Sequence, residues 1–131
     1  MKISKLRENI HVHLEGEFIL ADAQRDFVEV LKTVESTGLA KVLFEGRDII
    51  GEPEQIERFF YGVFVAGAVR DMLRRGFKGD KPRFAYVLEK PVLDPERLGE
   101  TVARNRGMDV KAFDNIEEAD RWLLDGHERV D

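Results

Sequence analysis

Hydrophobic and polar residues alternate near the start of the chain, which is typical of half-buried β-strands. Ile10, Val12 and Leu14 alternate with polar residues and predict a strand over residues 10–15. A second strand is predicted just before it, at residues 3–6. The connection between the two is so short that only an antiparallel hairpin can form.

The spacing of apolar residues then changes to that of amphipathic helices. Phe27, Leu31 and Val34 predict a helix over residues 21–34, and a second, longer helix is predicted over residues 54–75. The apolar stripe of the longer helix is expected to contain Ile56, Phe59, Phe60, Val63, Phe64, Ala68, Met72 and Leu73.

Three short apolar runs predict further strands, at residues 41–45, 83–88 and 110–113. The middle run is apolar on both faces, so we expect a central strand covered on both sides. Asp94 followed by Pro95 predicts a helix start, and Asn115 is expected to cap a last helix. The inward face of that last helix is predicted to be Ile116, Ala119, Trp122 and Leu123.

The predicted order of elements is ββαβαβαβα, which is the pattern of an α/β protein with a mixed sheet and flanking helices. The chain contains no internal repeat and no long linker. We therefore expect residues 1–131 to form a single domain.

Composition narrows the possible functions. The chain has 43% hydrophobic and 36% charged residues, a net charge of -5 and no cysteine. Disulfides and thiolate chemistry are excluded, and the negative charge disfavours nucleic acid as a partner. Without a secretion-signal pattern or a long apolar segment, we expect a cytoplasmic protein with no membrane insertion.

The order of elements, together with residues 110–123, resembles the STAS superfamily, and in particular its SpoIIAA-like branch of small stand-alone bacterial proteins. Residues 45–62, which contain Gly-Arg-Asp-Ile, Gly-Glu-Pro and Glu-Arg-Phe-Phe-Tyr-Gly, are similar to that branch too. The resemblance implies a three-layer-type fold with a four- or five-stranded mixed sheet, related to the lipid-binding SEC14 fold. It also implies regulation or binding, with no catalysis and no cofactor.

The resemblance raises the question of a phosphorylation switch. Anti-sigma-factor antagonists of this superfamily are switched at a serine at the start of the helix that follows the third strand. Here the matching residues 49–55 contain no hydroxyl group, and no Ser or Thr occurs between Gly38 and Glu100. We therefore expect a module that lacks this switch.

The candidate site is the predicted loop after the third strand, with the start of the following helix. In α/β folds such loops are common binding positions. The proposed partner or ligand surface consists of Glu45, Gly46, Arg47, Asp48, Ile49, Gly51, Glu52, Arg58 and Tyr61. Gly46 and Gly51 are expected to serve turn geometry.

The leading hypothesis is a non-enzymatic module that contacts a protein partner. A homodimer, in which the partner is a second copy of the chain, is one form of this hypothesis. The alternative is a carrier for a small apolar ligand or lipid, with a pocket beside the Phe-rich helix. An anion site with Arg47 and Arg58 has less support, because Glu52 and Glu54 can satisfy the helix dipole themselves. Hydrolysis through Glu45 and Asp48 is weaker still, since no nucleophile accompanies them.

Two other groups of residues contain side chains suited to binding, but a structural explanation is favoured for each. His11, His13 and Glu15 share one strand face and are interpreted as a solvated surface with no metal. His127 has no evident partner. The basic residues between Arg70 and Arg83 are expected at the opposite end of the sheet from the candidate site, where they complement the helix dipole.

Overall fold

The computed structural model describes residues 1–125, and His127 lies outside the described residues. Within them the chain forms five strands and four helices in the predicted order ββαβαβαβα. The elements are β1 (Lys2–Leu6), β2 (Asn9–Glu17), α1 (Leu20–Thr37), β3 (Lys41–Ile50), α2 (Gln55–Arg74), β4 (Arg83–Val87), α3 (Leu98–Asn105), β5 (Asp109–Phe113) and α4 (Ile116–Asp125).

The strands form one mixed sheet in the order β1-β2-β3-β4-β5. The β1–β2 pair is antiparallel and the other pairs are parallel, which confirms the predicted hairpin and mixed sheet. Because successive right-handed crossovers step in one direction across the sheet, α1, α2 and α3 lie together on one face. Helix α4 packs on the other face and completes three layers.

Strand β4 is buried on both faces, as predicted, and so are residues 42–44 of β3. Phe44, Phe84 and Tyr86 face α1 and α2, and the Phe44 and Tyr86 rings stack with centroids 4.3 Å apart. On the opposite face, Ala85 and Val87 pack with α4. The inward face predicted for α4 is confirmed, since Ile116, Ala119, Trp122 and Leu123 all belong to this second cluster.

Strand β3 is longer than predicted, because residues 46–50 belong to the strand and do not form a loop. Strand β2 continues to Glu17 and supplies hydrogen-bonding partners for this extension, with Glu15 opposite Asp48. A bulge between His13 and Glu15 changes the register just before that pair. Residues 46–50 include polar side chains and a glycine, so their sequence predicted a loop. Pairing with the backbone of β2 instead keeps them in the sheet.

Helix α3 begins at Leu98, later than Asp94 and Pro95 predicted. The Asp94 carboxylate accepts hydrogen bonds from the amides of Glu96 (3.1 Å) and Leu98 (2.9 Å). Asp94 therefore closes a turn before the helix, and Arg97, with a φ of 55°, separates that turn from α3. The capping chemistry was predicted, but the change in backbone direction at Arg97 was not.

The buried face of α2 also differs from the predicted stripe. Ile56, Phe59 and Phe60 are 54%, 36% and 48% exposed. Met72 is buried as predicted, but the other buried positions are Gly62, Val65, Ala66 and Val69, which the predicted stripe did not include. Apolar residues surround most of this helix, so their periodicity could not define which side faces the sheet.

A close contact between α2 and α3 decides the orientation of α2. A Cβ atom at Gly62 would lie 2.6 Å from the carbonyl oxygen of Gly99. A Cβ atom at Gly99 would lie 3.1 Å from the carbonyl oxygen of Arg58. The two backbones can approach this closely only because both positions are glycine. None of the helices described in residues 1–125 is long and apolar enough to cross a membrane.

We predict that Gly62→Ala destabilises the protein by about 1–3 kcal/mol, because the new methyl group displaces the α3 backbone. Gly67→Ala is the matched control on the same helix, since a Cβ there meets nothing within 4 Å. It should stabilise the protein by about 0.5–1 kcal/mol through helix propensity. Urea unfolding of both variants measures the difference, and equal effects would contradict the role assigned to Gly62.

Candidate functional site

An apolar cavity of about 160 Å³ lies between the sheet and helices α2 and α3. Leu14 of β2, Ile49 of β3 and Val65 of α2 contribute to its walls. Val92 and Ala103 line it from the side of the segment after β4 and of α3. The cavity lies on the sheet face covered by α1–α3, beside the α2–α3 glycine contact.

Two tyrosine hydroxyl groups form the polar feature of the cavity wall. The Tyr61 and Tyr86 oxygens are 2.7 Å apart, and their rings meet nearly at right angles. Burial raises the pKa of Tyr61 above its ordinary value, although the hydrogen bond with Tyr86 offsets part of that effect. Burial, followed by the charge and hydrogen bond of Tyr61, likewise raises the pKa of Tyr86. Both groups therefore stay protonated at neutral pH.

Arg58 ties α2 to the segment that follows β4. Its guanidinium donates hydrogen bonds to the carbonyl oxygens of Val92 and Pro91, each at 2.8 Å. The Leu93 amide donates to the Glu89 carbonyl oxygen at 2.8 Å, which closes a turn in the same segment. This segment forms one side of the cavity, so Arg58 holds that cavity wall in position. Its guanidinium group is already engaged in these two hydrogen bonds.

The other charged side chains that line the cavity are paired as well. Arg97 donates to the Glu100 carboxylate (2.9 Å) and to the Ala112 carbonyl oxygen (2.7 Å). Asp94 accepts the two backbone hydrogen bonds of the turn before α3. The cavity therefore combines an apolar interior with charges that are committed to the fold.

Glu45 and Arg47, both predicted site residues, form an ion pair with each other. The Arg47 Nε atom donates to Glu45 Oε1 at 2.9 Å, and the Arg47 backbone amide donates to Oε2 at 2.9 Å. Partial burial alone would raise the pKa of Glu45. The hydrogen bonds and charge of Arg47, with a smaller effect of His13, outweigh it and lower that pKa. This pairing leaves Arg47 poorly placed to bind an external anion.

Asp48 lies in a small polar cluster on the exposed part of the sheet. Its carboxylate is 3.3 Å from the His13 Nε2 atom, which lies 3.4 Å from the Glu15 carboxylate. One ligand atom from each of these side chains lies within 4.8 Å of the others. His13 is half-buried and the two carboxylates are exposed, and contacts of its Nε2 atom with both carboxylates account for their approach. His11, predicted on the same face, is not part of this group.

The two glycines of the predicted site have different roles. Gly51 has a φ of 105° and makes the turn that the sequence predicted. Gly46 was expected to do the same, but it is buried within β3, where its φ is not positive. A Cβ atom at Gly46 would lie 2.8 Å from the end of the Leu88 side chain, which would have to move to make room for it.

The side chains of the predicted surface thus divide into three groups. Ile49, Arg58 and Tyr61 line the cavity, whereas Glu52 lies in a neighbouring groove with Lys90. The remaining charged residues are on β3, outside the cavity. Sequence reasoning did not assign Tyr86 to the site. Its alternation with Phe84 indicated a core position, but not its pairing with Tyr61.

The basic residues near the end of α2 lie at the opposite end of the parallel strands, as predicted, and some of them hold the fold together. Arg83 is buried, pairs with Asp109 at 2.8 Å and lies 3.7 Å from the centre of the Trp122 ring. Arg75 pairs with Glu35 at 3.0 Å. These contacts join α2 to α1 and β4 to β5 and α4.

Comparisons with known proteins assign no family to the chain. No family model matches it, and no curated protein matches it. The resemblance to the STAS superfamily therefore stays a prediction, and function has to be inferred from the geometry of the site.

We predict that Arg58→Met lowers stability by about 1–3 kcal/mol, because two charge-assisted hydrogen bonds are lost, a part-buried one to Val92 and an exposed one to Pro91. Hydrogen exchange at the Leu93 amide should accelerate as the segment after β4 loosens. Arg70→Met is the control, since Arg70 is exposed on the same helix. Unchanged exchange at Leu93 in the Arg58 variant would show that Arg58 does not hold this wall.

Proposed function

We propose that this protein binds a small apolar molecule in the cavity between the sheet and helices α2 and α3. The observation that carries the proposal is an apolar space of about 160 Å³ bounded by three helices and the sheet. Well-packed interiors contain few voids larger than a water molecule. An apolar space of this size offers room for a small ligand, which favours a binding role.

The volume limits the size of the ligand. An engineered protein cavity of about 150 Å³ accommodates benzene. The expected ligand is therefore a single ring or a short acyl group, much smaller than a membrane lipid. This narrows the carrier function that the resemblance to SEC14-like folds suggested.

Several features support binding without catalysis. Tyr61 and Tyr86 hold their protons firmly, so neither is suited to act as a base near neutral pH. Asp94 and Glu100, the carboxylates at the cavity, are engaged in structural hydrogen bonds. We propose a non-enzymatic STAS-like carrier or sensor, with the ligand enclosed in its core.

Toluene is a suitable probe, and backbone-amide NMR titration should show shifts concentrated around Val65 and Ala103. Ala103→Leu adds bulk to the cavity wall and should weaken binding at least about tenfold while unfolding little differently from wild type. Ala68→Leu is the matched control, because Ala68 lies on α2 outside the cavity and is half-buried. Absence of toluene binding to wild type would refute the proposal.

A second candidate function, contact with a protein partner, is favoured by an exposed apolar face on α2. Ile56, Phe59 and Phe60 are three or four positions apart, so they lie on one side of the helix. Their exposure is unusual for side chains of this size, and exposed apolar patches often mark interfaces. The partner would be another protein or a second copy of this chain, as in a regulatory module of the SpoIIAA-like type.

Phe60→Glu should disrupt this contact, because a charge would be buried in the interface. Sedimentation equilibrium tests self-association, and affinity capture from the source cells tests other partners. An Arg47→Ala, Asp48→Ala double variant tests the charged part of the predicted surface separately. If wild type and both variants give the same mass and the same captured proteins, this second function is wrong.

A further inference from the structure

The Tyr61–Tyr86 pair leaves one hydrogen-bond donor without an acceptor. Each hydroxyl group carries a single hydrogen and two lone pairs. The bond between the two oxygens, 2.7 Å apart, uses only one of the two hydrogens. In the part of the chain that the structure describes, neither hydroxyl has another hydrogen-bond partner. Whichever tyrosine donates to the other, the second hydrogen remains free.

The position of the pair makes this free hydrogen relevant to binding. Both tyrosines line the cavity, where Tyr86 is buried and Tyr61 is half-buried. The ring of Tyr86 is held by stacking on Phe44, and that of Tyr61 packs edge-on against Tyr86. The two hydroxyl oxygens are thus held in place before a ligand arrives, and leaving the second hydrogen unpaired in an apolar site is unfavourable.

The surroundings select the kind of acceptor that fits. A water molecule needs several polar partners to be held in a protein interior, and this wall offers one pair of hydroxyl groups. A carboxylate would need a free cation, but the guanidinium groups of Arg58 and Arg97 are already bonded to the protein. A neutral carbonyl oxygen needs one donor and an apolar environment for the rest of its molecule.

We propose that the Tyr61–Tyr86 hydroxyl pair is the polar anchor of the cavity and that the ligand is a compact, uncharged carbonyl compound, such as a cyclic or short-chain ketone. The inference rests on the proposed function and adds the chemical class of the ligand. The apolar walls supply affinity for the hydrocarbon part, while the free hydroxyl hydrogen recognises the oxygen and sets its direction.

Two probes of nearly the same shape test the anchor: cyclohexanone, and methylenecyclohexane, in which a CH₂ group replaces the oxygen. Dissociation constants are measured by NMR titration for wild type and for Tyr61→Phe, Tyr86→Phe and the double variant. The double variant should bind cyclohexanone about tenfold more weakly, because one hydrogen bond is lost. Its affinity for methylenecyclohexane should change less than about twofold. Each single variant keeps one donor and should retain most of the ketone affinity.

A measurement on wild type alone keeps the test independent of how the variants fold. The chain contains only two tyrosines, so ¹³Cζ labelling of tyrosine gives two signals, both from this pair. Cyclohexanone should shift them, and methylenecyclohexane should shift them much less. If both probes bind but the ¹³Cζ signals respond equally and the double variant treats the probes alike, the anchor is refuted and the cavity function stands. If neither probe binds to wild type, both are refuted.

Discussion

The close backbone contact between α2 and α3 is the constraint on which this side of the molecule depends. Gly62 and Gly99 let the two helices approach at a distance that any side chain would prevent. That approach rotates α2 so that Gly62, Val65 and Val69 face inward and Phe60 faces outward. The same rotation brings Tyr61 to Tyr86 and places an apolar cavity next to the contact. Core, cavity and exposed face therefore share one cause.

The sheet supplies the rigid part of the site. Because β4 and the first half of β3 are buried on both faces, their side chains are held by packing on each side. Tyr86 is stacked on Phe44 and cannot easily turn away from the cavity. The opposite wall is the segment after β4, which Arg58 and Asp94 hold through hydrogen bonds to and from its backbone. A site built this way is formed before the ligand binds, and little ordering is needed on binding.

The two proposed functions use opposite sides of the same helix. The inward side of α2 lines a space suited to a small neutral molecule, and its outward side presents Ile56, Phe59 and Phe60 to a partner. A ligand that fills the cavity contacts Tyr61 and Val65 on this helix.

The sequence by itself determined the order of elements, the mixed sheet, the central position of β4 and the buried face of α4, because each depends on local apolar periodicity and on turn residues. Only the tertiary structure decided three further features: the extension of β3, the late start of α3 and the orientation of α2. The first needs a neighbouring strand, the second a backbone reversal at Arg97, and the third a contact between distant glycines. The candidate site follows the same division. Ile49, Arg58 and Tyr61 were found from their position along the chain, but their meeting with Tyr86 around a cavity is a property of packing between distant segments, which no local pattern encodes.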